Sequence, residues 1–389
     1  MVPRLRREQR AEAAQETQAR RVLHVFGSMQ RGGAETRTLE IMRRLPVERY
    51  RFDFCVLSGE PGAYAGDVAS MGGRVLPCAL RPGAPSFPRR FLSLLRQGRY
   101  DIVHSHVHQF SGLIPLLARW AGVQTCIAHI RSAHDGHSYS RARRVYRLAM
   151  RRLVNSSATA VIGVSESVMR TFFGADWRSD PRRRVIHDGI DAAAFDATND
   201  EGSYHVRTVR EEFAVPPHAR LVLHVGNFNP AKNHHALVRV ATELASHRSD
   251  IVFLLIGDGP LRPEIEREIA SRGLMSTFRL AGSRSDVARL LQAGDLFVFP
   301  SRWEGLPGAV LEALAAGLRV VASPIAPVLE IARLAPAVTT VDPENPEAFA
   351  SAVELALGTS HVGAQARRSR LPSMFTVEVS MEQLLECYQ

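Results

Sequence analysis

Several large classes are closed to this chain by what it lacks. It has four cysteines in 389 residues, Cys55, Cys78, Cys126 and Cys387. They make no C-x-x-C pair and no zinc spacing, so neither a disulfide scaffold nor a zinc module is expected. Buried free thiols in a reducing compartment are. No apolar run approaches the roughly 18 residues that a spanning helix requires. The first twenty residues carry arginines with no apolar stretch behind them, so a basic tail over 1–20 is expected there rather than a secretory signal. Zinc fingers, RNP-type aromatic motifs and other nucleic-acid modules are also missing, and no nucleic-acid partner is expected.

What is present is basic and globular. Hydrophobic residues make up 45% of the chain and the formal net charge is +10. That charge favours an anionic partner. Arginines concentrate at 4–21 and again in Ser140-Arg-Ala-Arg-Arg-Val-Tyr-Arg-Leu-Ala-Met-Arg-Arg-Leu-Val154. At helical spacing the second run gathers most arginines of Arg141–Arg152 on one side and Val145, Tyr146, Leu148, Ala149, Met150 and Leu153 on the other. This is either an ordinary surface helix packed on its own domain or a basic amphipathic helix able to meet an anionic membrane surface.

Length favours two domains. Short apolar runs alternate with helix-length segments throughout, the pattern of parallel sheets with helices on both faces. Strands are predicted at 21–27, 52–57, 73–77, 101–106, 124–130, 159–164 and 183–187, with helices at 34–46, 109–121 and 141–155. A polar, turn-rich stretch near 191–219 precedes a second series at 220–226, 251–257, 277–281, 295–299, 319–322 and 337–341. The two series open alike, Val22-Leu-His-Val25 and Val222-Leu-His-Val225. The boundaries drawn are a tail over 1–20, a first domain over 21–200, a second over 201–373, and a terminal helix over 374–389 that could pack back on the first. In open α/β sheets ligands bind at the carboxyl ends of the strands. Two such domains facing each other would form an interdomain cleft.

Three segments carry chemistry. Gly27-Ser-Met-Gln-Arg-Gly-Gly-Ala-Glu35 follows the first strand. Gly32 and Gly33 allow close backbone approach and positive φ, and the helix behind them turns its positive end to a phosphate. Val225-Gly-Asn-Phe-Asn-Pro-Ala-Lys-Asn-His234 stands at the same place in the second series, where Lys232 could meet a diphosphate. Pro300-Ser-Arg-Trp-Glu-Gly-Leu-Pro-Gly-Ala-Val-Leu-Glu312 puts Glu304 on a loop and Glu312 just inside a helix expected to begin near Pro307. Carboxylates there suit sugar hydroxyls. His104, His106 and His108 alternate, and on one strand they would share a face that also suits a metal. His129 and Arg131 end a neighbouring strand.

Together these residues resemble the retaining glycosyltransferase family 4, over about residues 21–357. The carriers are Glu304-x7-Glu312 in its Pro-Ser-x-x-Glu-Gly-Leu-Pro setting, Lys-Asn-His at 232–234, Val-Ser-Glu at 164–166, Ile186-His-Asp-Gly-Ile-Asp191 and Gly257-Asp-Gly-Pro260. Met29-x-Arg-Gly-Gly-Ala-Glu and Asp101-Ile-Val-His-Ser-His-Val-His108 look like exopolysaccharide-type members. The resemblance implies the α/β GT-B fold, two Rossmann-like, doubly wound parallel-sheet domains. It implies a nucleotide-sugar donor, UDP-linked by preference and GDP-linked otherwise, with no metal and no other cofactor, and a glycan or lipid-linked acceptor. The backbone at Gly32 and Gly33, Asn227, Lys232, Gly305, Leu306 and Glu312 would hold the donor. Glu304 would hold the transferred sugar and Glu312 the ribose. His106 would lie beside the reacting sugar, and His129 and Arg131 on the acceptor side. A cytoplasmic protein, peripheral on the inner face of the cell membrane, is the implied setting. The family usually has arginine where Asn227 stands, and Arg131 or Arg302 could substitute. The competing readings are a non-hydrolysing sugar-nucleotide 2-epimerase and a catalytically silent GT-B binding protein.

Overall fold

The computed structural model describes residues 19–80, 86–133, 140–195, 200–358 and 369–389. All but the last two residues of the expected basic tail lie outside that set. The chain divides into two compact units. One comprises the chain up to Ile186 together with Met381–Gln389, and the other His187–Ser380. The last helix, Val377–Tyr388, begins in the second unit and ends in the first.

The first unit is built on β1 (Arg20–Phe26), β2 (Tyr50–Val56), β3 (Arg74–Pro77), β4 (Ile102–Ser105), β5 (Thr125–Ile130), β6 (Ala160–Gly163) and β7 (Arg183–Val185). They form one parallel sheet in the order 3-2-1-4-5-6-7. The second is built on β8 (Arg220–Val225), β9 (Ile251–Ile256), β10 (Phe278–Gly282), β11 (Leu296–Phe299), β12 (Val320–Ala322) and β13 (Val338–Thr340). Its parallel order is 10-9-8-11-12-13. Every strand expected from the sequence is present, because strands covered on both faces must be apolar along their whole length. β9 is buried at all of its positions.

Strand alternation decides which side chains share a face. In the first sheet Leu23, Val25 and Val103 join Phe91 and Leu117 in one core. The opposite face carries His24, Phe26, Phe52, Phe54 and His104, with His24 directly across from His104 in the β1–β4 register. In the second sheet Leu221, Leu223, Leu254, Phe297 and Phe299 pack with Val310 and Leu314, while Val222, Phe253, Leu255 and Val298 pack with Leu237 and Phe349. Both orders reverse direction once, between β1 and β4 and between β8 and β11. These reversals are the switch points where open α/β sheets bind ligands. Among the described residues no helix is long and apolar enough to cross a membrane.

Candidate functional site

At the switch point of the second unit, the loop after β8 holds Lys232 and the loop after β11 holds Glu304. Lys232 Nζ donates to Glu304 Oε1 at 2.7 Å, and the two side chains are 19% and 15% exposed. The lysine is held along its length. Its ammonium lies 5.0 Å from the centre of the Phe299 ring, a favourable cation–π distance. A Cβ on Gly226 would come within 3.0 Å of its Cγ and Cδ. Asn229 Oδ1 accepts from the backbone N–H of Ala231 and of Lys232, closing the turn that presents it. The two loops are joined where Arg302 N–H donates to the Ala231 carbonyl at 2.8 Å and Asn233 Nδ2 donates to the Pro300 carbonyl at 3.3 Å. Gly257 and Gly259 allow the loop after β9 to lie against this arrangement. Both have positive φ, and a Cβ on Gly257 would meet the Gly226 carbonyl at 2.2 Å.

The helix after Glu304 runs Gly308–Ala315. It starts one residue later than expected. Pro307 caps it, its carbonyl accepting from Val310 and Leu311, instead of forming its first residue. Glu312 is half-buried one turn inside, between the buried Leu311 and Ala313. Gly305 is buried, Leu306 half-buried and Asn227 exposed. Arg302, weighed as a stand-in for the missing arginine, is exposed and turned toward Glu344 at 3.5 Å. Beneath Lys232, His224 donates Nδ1–H to the Val298 carbonyl at 3.0 Å. Burial, and then the Lys232 charge, push its pKa down to about 4 against the opposing effect of that bond. Its Nε2, both ring nitrogens of His234, Asn233 Oδ1 and Ser301 Oγ are buried with no hydrogen-bond partner among the described residues.

The switch point of the first unit is built from neutral rings. His24, His104, His106 and His129 are all buried. His24 Nδ1 meets His106 Nε2 at 3.0 Å, and His104 Nε2 meets His129 Nδ1 at 3.1 Å. Tyr388, at the end of the last helix and fully buried, meets His104 Nδ1 at 2.9 Å. Arg131 Nε donates to His106 Nδ1 at 3.0 Å, and its Nη2 reaches Thr38 Oγ1 on helix Gly33–Arg44 at 3.4 Å. Burial first, then neighbouring charges, hold all four histidines well below their usual pKa, His24 at about 3. Glycine at 33 is not demanded by packing. A Cβ there would meet nothing within 4 Å, while one on Gly32 would meet Glu35. Gly32 is extended at φ −149°, and neither glycine has the positive φ the sequence allowed.

The alternation of histidines stops early. β4 ends at Ser105, and His108 opens a 3-10 turn at φ +48° with Nε2 on the Ser132 carbonyl at 2.8 Å. Among the described residues, the trio whose ligand atoms come within 4.8 Å of one another is instead His24, His104 and His106. Arginine only donates, so His106 Nδ1 accepts from Arg131 and the neutral ring carries its proton on Nε2, which donates to His24 Nδ1. Sequence reasoning missed His24, Thr38 and Tyr388. The histidine in each Val-Leu-His-Val strand was the one signal available.

Comparison with known proteins adds two family matches. Residues 32–189 match the model described as glycosyl transferase 4-like domain, and residues 219–358 match glycosyl transferases group 1. The chain is 32% identical over 307 residues to a glycosyltransferase named EpsF from Bacillus subtilis (strain 168), covering 78% of this chain and 79% of the relative. It is 28% identical over 300 residues to the capsular polysaccharide biosynthesis glycosyltransferase CapH of Staphylococcus aureus, 75% and 78% of the two chains. Among solved structures, HepE of Anabaena in complex with UDP-glucose superposes with a TM-score of 0.77 at 19% identity, over 94% of this chain and 98% of that one.

Proposed function

The chain belongs to the group 1 glycosyltransferases with a glycosyl transferase 4-like N-terminal domain and has their GT-B fold, and from this membership we propose that it moves a sugar from a nucleoside-diphosphate sugar to a glycan or lipid-linked acceptor, with retention, in cell-surface polysaccharide synthesis. The observation that carries the donor reading is the Lys232–Glu304 pair at the switch point of the second unit. A fixed ammonium beside a carboxylate, with a second carboxylate on the next helix, offers one cation to a diphosphate and two acceptors to hydroxyls.

In this reading Lys232 neutralises the departing diphosphate, Glu304 takes hydroxyls of the transferred sugar, and Glu312 takes those of the ribose. Gly305 and Leu306 line the donor, and the open space at Gly33 suits backbone approach by a phosphate. Catalysis is positioning plus charge stabilisation, with the leaving phosphate helping to accept the acceptor's proton. No metal is required for this chemistry. His106 has both ring nitrogens engaged, so its part is to hold Arg131, and Arg131 with His129 serves the acceptor side. Uracil is the favoured base, a choice supported by the UDP-glucose in the HepE complex and by a 28% identical Escherichia coli relative named for UDP-Gal, which the chain matches over 60% of its length.

A peripheral membrane location fits the helix Arg141–Ser157. Val145 is 66% exposed and Leu148 37%, so that part of its apolar side is uncovered beside exposed arginines. The test is incubation with UDP- and GDP-sugars and isolated lipid-linked glycans. Transfer with retained anomeric configuration supports the reading. Epimerisation at C2 would make the chain an epimerase, and binding without turnover a silent GT-B protein.

A further inference from the structure

Lys232 and Glu304 satisfy each other before any ligand arrives. Neither side chain is loose. The lysine stem is wedged against Gly226 and over Phe299, and the two loops are stitched by the Arg302–Ala231 and Asn233–Pro300 bonds. A diphosphate that takes the Lys232 ammonium therefore removes Glu304's counter-ion. Glu304, only 15% exposed, is left needing new donors.

An intact nucleotide sugar brings them. Its sugar hydroxyls can donate to the released carboxylate while its diphosphate takes the ammonium. A spent nucleoside diphosphate brings none. It also carries an additional ionisable oxygen on its terminal phosphate, at the end facing the carboxylate. Like charges then oppose each other across a partly dehydrated site.

We propose that Glu304 is the residue by which this chain tells its loaded donor from the spent nucleoside diphosphate: it penalises the product and, by recapturing Lys232, expels it. The inference rests on the donor reading above and adds to it a role in product release that sugar contact alone does not require. Glu304 thus acts as a specificity-determining residue in both directions of the binding cycle.

The experiment measures equilibrium affinity by calorimetry for UDP, GDP, ADP and dTDP and for their glucose conjugates, on the full chain. Wild type, Glu304→Gln and Glu304→Ala are compared. The conservative Gln keeps the side chain's volume, and Ala guards against a Gln-specific hydrogen bond. Expected is a nucleoside diphosphate bound about tenfold tighter by both variants, with the sugar conjugate unchanged or weaker, so that discrimination between the two collapses. Product inhibition of transfer should rise in step. A variant that is merely misfolded would lose both ligands together. If wild type binds a nucleotide but neither variant binds the free diphosphate more tightly, the inference is overturned and the donor site stands. If wild type binds none of the eight ligands, the donor reading itself fails.

Discussion

The two switch points occupy equivalent places in equivalent sheets and are furnished in opposite ways. In the first unit four imidazoles, all kept neutral, are sealed beneath Tyr388 and touched by one guanidinium. In the second an ammonium and a carboxylate face each other, each still partly reached by water. A neutral buried network gives shape and fixed proton positions, and it gains little from a passing charge. A fixed but still partly exposed ion pair can be exchanged for another pair when a ligand offers each charge a new partner. On the donor reading proposed above, the contrast gives rigidity to the first unit and ligand exchange to the second, and variants should sort accordingly.

The largest expected effect attacks the rigid side. Tyr388→Ala removes a fully buried ring and the partner of His104, costing about 3–5 kcal/mol of stability, the usual range for truncating a buried aromatic. Hydrogen exchange should register the loss in the first sheet and not in β8–β13. Equal loosening of both units would break the comparison.

Next comes the exchangeable side. Lys232→Ala should lower kcat/KM for transfer by about 10²–10³, the scale seen when one stabilising donor is removed from a developing anion. Its melting midpoint should fall less than that of Tyr388→Ala, since Glu304 loses its counter-ion but is still partly reached by water. A variant that loses stability while keeping activity would mean that the lysine is structural.

Acid separates the units by degree. His24, His104, His106 and His129 in the first unit, and His224 and His234 in the second, have folded pKa values below the unfolded value near 6.5. Above that pH both states are neutral and these groups contribute nothing to its dependence. As pH falls below 6.5 the unfolded chain binds protons that the folded chain refuses, and stability drops by about 1.4 kcal/mol per pH unit for each such histidine. With four against two, the first unit should open first between pH 6.5 and 4.5 in unfolding followed by exchange. Simultaneous opening, or no pH dependence in that window, would contradict the buried neutral network.

The smallest effect is a gain. Asn227 is exposed where the related family usually has arginine. Asn227→Arg should tighten nucleotide binding several-fold by adding a charge-assisted phosphate contact, measured by calorimetry beside wild type. An unchanged affinity would place the diphosphate away from this loop.

The fold was legible because it is written locally. Apolar runs such as Ile251–Ile256 and the glycine-marked turns after Phe26 and Val225 each sit within a dozen residues, and the strand-by-strand alternation followed from them. The helix start at Gly308 was missed by one residue, since a proline serves as cap and as first turn almost equally well. What escaped the sequence depends on partners far apart in the chain. Tyr388 meets His104 across the full length between them, His24 meets His104 through strand register, and the proton on His106 is decided by Arg131. The spacing of His104, His106 and His108 suggested one strand face, but the backbone turns at Val107 and carries His108 away. Lys232 and Glu304 were each picked out as ligands. Nothing in their spacing said that they would hold each other.

The central claim is that the second unit holds a nucleotide-sugar donor, its diphosphate on Lys232, its ribose on Glu312 and its transferred sugar on Glu304. Thermal unfolding with UDP or GDP in the presence of a chelator tests it most directly. The midpoint should rise in wild type without divalent metal, and the rise should vanish in Glu312→Gln while Glu304→Gln keeps or enlarges it. No rise with any nucleotide, or a rise that survives Glu312→Gln undiminished, would contradict it.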